Sequence, residues 1–126
     1  MSKTVITRAI AAAAVVVALL TAGPVRAGDT SMDAEIDFLL QRVADSNCLF
    51  VRNGHEYDGI AARKHLQMKR QRGRKYYASS EEFIERIASH SSWTGKPYLI
   101  RCGGEPESTA QAWFSALLGE YRESGP

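Results

Sequence analysis

Apolar and polar residues follow one another along this chain with spacings that predict four helices and two short strands. Ile36, Leu39, Leu40 and Val43 recur at helical intervals, and Asp33, Glu35, Gln41 and Arg42 take the other face. They predict a first helix from about Ser31 to Asp45, ended by Ser46-Asn47. Leu49-Phe50-Val51-Arg52 has the make-up of a strand, and Asn53-Gly54 behind it is a strong turn dipeptide. Asp58 is placed to cap a second helix that continues to Gln71 or Arg72, where Gly73 stops it. Its apolar side is Ile60, Ala61, Ala62, His65, Leu66 and Met68.

Ser79 and Glu82 have capping-box spacing, so a third helix starts there and buries Phe83, Ile84, Ile87 and Ala88. Ser91 to Pro97 is a loop, and Tyr98-Leu99-Ile100-Arg101-Cys102 is a second strand closed by Gly103-Gly104. The last helix has one continuous apolar face: Ala110, Trp113, Phe114, Leu117, Leu118 and Tyr121, with Pro106 and Ser108 suited to its start. The expected fold is α+β and mainly helical, with about four helices and a short two-stranded antiparallel element.

The first 27 residues change the picture. Lys3 and Arg8 precede an apolar run from Ala9 to Leu20, Gly23-Pro24 breaks it, and Val25-Arg26-Ala27 offers a small-residue cleavage pattern. The run is shorter than the roughly 20 residues a bilayer span requires. Residues 1–27 thus read as a signal peptide cut after Ala27, and 28–126 as a single small globular domain in the periplasm, with no transmembrane segment. Processing also changes the charge. The whole chain carries 16 Lys and Arg against 14 Asp and Glu; without Lys3, Arg8 and Arg26 the basic count falls to 13. A near-neutral domain gives no general case for nucleic-acid binding.

Cys48 and Cys102 both lie beyond the cleavage point. In an oxidising compartment they read as one disulfide, closing a loop of about 55 residues. No C-x-x-C spacing points to redox chemistry.

Catalytic and metal patterns are weak. His55-Glu56-Tyr57-Asp58 lacks the second His of a zincin, since Gly59 stands in its place, and no metal or cofactor site is read. Gly95-Lys96 lacks the rest of a phosphate loop, and G-x-S-x-G is absent. His65, on the apolar side of its helix, reads as a hydrogen-bonded, partly buried histidine. Arg52-Asn53-Gly54 reads as a hairpin-like turn, or as a turn from which Arg52 reaches a ligand.

The basic stretch Arg63 to Lys75 is the main surface feature: seven Lys and Arg with no acid between them. Its bland reading is a solvated helix face. Its functional reading is contact with an anionic partner through Lys69, Arg70, Arg72, Arg74 and Lys75. Arg52, Trp93, Lys96 and Tyr98 are secondary candidates.

Five strings carry a family likeness: Phe50-Val51-Arg52-Asn53-Gly54, His65-Leu66-x-x-Lys69, Glu82-Phe83-Ile84, Ala88-Ser89 and Ser91-Ser92-x-Thr94-Gly95-Lys96-Pro97-Tyr98. Together they resemble the YfeK-like family of small bacterial periplasmic proteins, a domain of unknown function. The resemblance implies an exported bacterial protein and no activity; the cysteine pairing is read from the residues alone.

The leading expectation is a non-enzymatic binding or accessory domain for an anionic envelope component or a protein partner. The alternatives are a small envelope hydrolase using His65, His90, Glu56 and Asp58, and an inhibitor or chaperone-like partner with an exposed apolar patch.

Overall fold

The computed structural model describes residues 12–18 and 27–125. The signal-peptide reading falls mainly on residues outside those described; residues 12–18 have no regular structure, and Val15, Val16 and Val17 are exposed. No helix among the described residues is long and apolar enough to cross a membrane.

Helix α1 (Ala27–Asp45) buries Ile36, Leu39, Leu40 and Val43, the four residues whose spacing predicts it. Strand β1 (Leu49–Arg52) turns through Asn53 and Gly54, at φ of 50° and 78°, into β2 (His55–Tyr57). Two consecutive positive φ values are what a tight hairpin between right-twisted strands requires, and Asn-Gly tolerates them at least cost. Helix α2 (Gly59–Arg72) starts at Asp58, whose side chain accepts from the Ala61 N–H at 2.8 Å. It ends at Gly73, followed by a 3₁₀ turn (Arg74–Tyr76).

Gly73 is needed for space rather than for a left-handed bend. Its φ is −96°, but a Cβ there would lie 2.5 Å from Ile87 Cδ1 and 2.9 Å from the Lys69 carbonyl oxygen.

Ser79 caps α3 (Ser80–Phe83) by accepting from the Glu82 N–H, while the Glu82 carboxylate accepts from the Ala78 N–H. The helix then widens into a π turn (Ile84–Ala88), in which the Ser89 hydroxyl donates to the Ile84 carbonyl. After the loop come β3 (Leu99–Arg101), β4 (Ser108–Thr109) and α4 (Ala110–Ser124), the last capped by Thr109.

The expected four helices and antiparallel strand pair are present, and the sheet is larger, with four strands in the order β2-β1-β3-β4. The two additional strands are short edges of polar residues, without the apolar run that marks a strand in sequence. Cys48 and Cys102 form the disulfide, with Cα atoms 4.4 Å apart, at the outer end of the β1–β3 pair.

The core lies between the helices and one sheet face, centred on Ile36, Leu39, Phe83, Ile100 and Phe114. Three expectations change. Glu35 is buried, because Ser80 donates to one carboxylate oxygen and Arg122 of α4 donates to both. That network ties α1, α3 and α4 together and holds the Glu35 carboxyl below its usual range. Ile60, Ala61 and Met68 of α2 are exposed, since the helix buries a narrower stripe centred on Ala62 and Leu66. The last helix starts at Ala110, because Ser108 and Thr109 pair with β3.

Candidate functional site

The most concentrated polar chemistry lies where the inner ends of β1 and β3 meet α2. Arg52 closes β1, His65 and Lys69 lie one turn apart on α2, and Tyr98 immediately precedes β3. Tyr98 is fixed at both backbone ends: its N–H donates to the Ser89 carbonyl and its own carbonyl accepts from the Ala110 N–H.

Arg52 Nη1 lies 2.6 Å from His65 Nδ1, and Nη2 donates to the Tyr57 hydroxyl at 3.1 Å. The Arg52 guanidinium also stacks over the Tyr57 ring at 4.7 Å. Lys69 Nζ donates to the His90 carbonyl at 2.8 Å and to the Tyr98 hydroxyl at 3.0 Å. His65 Nε2 is 3.3 Å from the same hydroxyl. Arg52 Nη1 is also 2.7 Å from Nε2, and a neutral imidazole has a single acceptor nitrogen, so His65 accepts from Arg52 at one ring nitrogen only. The Tyr98 oxygen accepts from the Lys69 ammonium, and its hydroxyl shares the second contact with His65. The cluster is a set of donors facing outward.

Its electrostatics agree with its geometry. Arg52 and Lys69 are half-buried, and neither they nor exposed Arg72 has a carboxylate partner among the described residues. Burial and then the Arg52 charge push the Lys69 ammonium down to about 8. Burial, then Arg52 and Lys69, push the His65 imidazole down to about 4, so it is neutral at ordinary pH. Burial raises the Tyr98 phenol, which stays protonated.

A pH effect follows. Between pH 6.5 and about 4 the unfolded chain protonates His65 and the folded chain does not, so stability should fall as pH drops through that window. In His65→Gln that slope should flatten, while the acid loss due to Glu35 persists below about pH 4.5. Thermal midpoints of both proteins from pH 4 to 7.5 check this; identical slopes would show that His65 is not the source.

Two recesses flank the cluster and share Arg52, His65, Met68 and Tyr98 as a common wall. One is a cleft of about 510 Å³, bordered also by Lys69, Arg72, Arg86, Tyr76 and Trp93. The other is an apolar hollow of about 350 Å³ that reaches Phe50, Leu66, Ala88 and Phe114. No carboxylate lines either of them among the described residues. The rim of the cleft is held by Asn53, whose amide donates to Ser91 Oγ at 3.2 Å while its carbonyl accepts from Thr94 Oγ1 at 2.7 Å.

The structure divides the basic candidates. Lys69 and Arg72 face the cleft, together with Arg52, Tyr98 and a fully exposed Trp93. Arg70 turns the other way, to Asp33 at 3.1 Å and Asp37 at 2.5 Å on α1. Arg74 and Lys75 lie over the rings of Tyr77 and Tyr76, and Lys96 is an exposed turn residue outside the lining. Tyr98 is buried rather than part of an exposed loop.

Of the hydrolase candidates, Glu56 pairs with Arg101 at 2.6 Å, Asp58 caps α2, and His90 contributes its backbone carbonyl. Only His65 enters the cluster. No three His, Cys, Asp or Glu among the described residues group as metal ligands. Sequence reading did not join Arg52, His65, Lys69 and Tyr98 into one group, nor include Arg86. The i, i+4 spacing of His65 and Lys69 was the available signal, because it places both on one helix face.

The profile of a family of unknown function, DUF5329, matches residues 30–122. The chain belongs to this family. An uncharacterised protein, YfeK of Salmonella typhimurium strain LT2, is 40% identical over 85 residues, covering 66% of this chain and 71% of that protein. No solved structure matches. The resemblance carried by the five sequence strings is therefore shown, and in this DUF5329 member three of them meet at one place. Arg52 and Asn53 come from the first, His65 and Lys69 from the second, and Ser91, Thr94 and Tyr98 from the last.

Proposed function

We propose that this is an exported, non-enzymatic binding domain that holds an anionic envelope component in the cleft between α2 and the Ser91–Pro97 loop. The observation that carries the reading is the cluster itself: two half-buried cations without a carboxylate among the described residues, with the Tyr98 hydroxyl beside them, all bordering one cleft. A cluster of that kind carries an electrostatic cost in the free protein, which an anion would offset. Arg72 widens the positive rim, Arg86 stands there paired with Glu82 at 3.3 Å, and the exposed rings of Tyr76 and Trp93 offer stacking or interfacial contact. Export is supported by the position of the expected cut, at the first residue of α1, so that cleavage after Ala27 leaves nearly all of that helix.

The test is a thermal-shift and calorimetric titration of the purified protein with inorganic phosphate, peptidoglycan fragments and lipopolysaccharide, at low and high salt. An anion that binds only the folded state should add roughly 2.7 kcal/mol at 100 times its Kd. The shift should shrink with salt and as pH rises above about 8, where Lys69 loses its proton. Arg52→Gln and Lys69→Gln should each weaken binding by roughly 10- to 100-fold, the range of a charged hydrogen bond. Arg70→Gln should not weaken it. Equal loss in all three variants would make the effect a general one of charge, and no shift with any anion would end the reading.

A further inference from the structure

We infer that the cleft and the apolar hollow form one site, and that its ligand is a single-chain amphiphile: an alkyl chain in the hollow with its anionic head on Arg52, Lys69 and Tyr98. The inference deepens the anion-binding reading and rests on it. Three observations join the recesses. They adjoin across Arg52, His65, Met68 and Tyr98, which border both. The polar groups of the hollow stand toward the cluster, at Arg52, Tyr57, His65 and Tyr98, with Lys64 exposed beside them. Beyond them the hollow is walled by Phe50, Ala62, Leu66, Ala88 and Phe114.

The chemistry of that wall selects the occupant. A peptide would bring amide groups into a space with nothing to pair them, and a buried amide without a partner is costly. A hydrocarbon chain brings none. About 350 Å³ falls at the small end of the range for small-molecule sites, which suits one chain rather than two. The charge at the mouth is uniformly positive, which suits a carboxylate or phosphate head and disfavours a cationic one. Met68, unbranched and adaptable, lies at the junction of the two recesses, where head and chain would meet.

The experiment is a chain-length series on the full protein, with calorimetric or competition readout: hexanoate, octanoate and decanoate, then decyl phosphate, with 1-octanol as the uncharged control. Affinity should rise about fourfold for each added methylene, the effect of burying one CH₂. Octanoate should bind at least tenfold tighter than 1-octanol, and Arg52→Gln should remove that difference. Ala61→Phe at the rim and Ala62→Leu inside the hollow should flatten the dependence on chain length, with thermal midpoints showing that both variants fold. The carboxylate and phosphate arms separate a fatty-acid head from a lysophospholipid-type head. If all chain lengths bind alike, the tail site is overturned while the anion site stands. Should 1-octanol match octanoate, the joining of head and tail is overturned. Binding to anionic bilayer vesicles without binding to free alkyl anions would also overturn it. Failure of every anion, inorganic phosphate included, would remove both readings.

Discussion

Replacing Cys48 and Cys102 together by Ala lowers the stability of the folded domain by about 2–5 kcal/mol. For a domain near 100 residues this is a fall in melting temperature of more than about 10 °C. The size of the effect follows from where the bond lies. It links positions 54 residues apart, so the reduced unfolded chain gains a large freedom that the oxidised chain lacks. A domain of this size has only about 5–15 kcal/mol to lose. Calorimetry of wild type and double variant measures the difference, with reduced wild type expected to match the variant. A double variant that melts with the wild type would mean that the sheet and helices hold the β1–β3 end without help. The bond joins the strands whose other ends carry Arg52 and Tyr98, so the same variant should also bind anions more weakly.

Gly59→Ala is the second large effect, and its sign runs against helix propensity. Alanine in a helix is ordinarily better than glycine by about 1 kcal/mol. At Gly59 an added Cβ would lie 2.3 Å from the Val43 carbonyl oxygen and 3.1 Å from that of Ala44. Both are backbone atoms of α1 and cannot rotate away, so α1 and α2 must part. A net loss of about 1–3 kcal/mol is expected, the usual range for overpacking. Gly119→Ala on α4 is the control, since nothing lies within 4 Å of its added carbon, and it should stabilise by about 0.5–1 kcal/mol. Urea midpoints of the two variants should therefore move in opposite directions. Movement in the same direction would show that propensity, not contact, decides at Gly59.

The folding pattern was legible where the driving force is periodic burial. Ile36 to Val43 and Phe114 to Leu118 read as helices because each needs one apolar stripe. Leu49–Arg52 read as a strand because its residues favour a pleated surface. The two edge strands were not legible, because His55–Tyr57 and Ser108–Thr109 are strands by pairing, not by composition. Glu35 read as a surface charge because its partner Arg122 lies 87 residues away. The candidate site was legible only in pieces. Lys69, Arg52 and Tyr98 stood out for charge or loop position, but what makes them a group is the β1–β3 register together with the packing of α2 against β1. Pairing of strands distant in sequence is set by the whole fold and leaves no local mark.

That register has a further meaning. Val51 stands opposite Leu99 and Phe50 opposite Ile100, so the same count places Cys48 opposite Cys102 at one end and Arg52 opposite Tyr98 at the other. Sliding one strand by a single residue would turn Arg52 to the opposite face and also part the two sulfur atoms. The covalent bond thus acts as a ruler as well as a brace: closing it certifies, several residues away, that arginine and tyrosine have met.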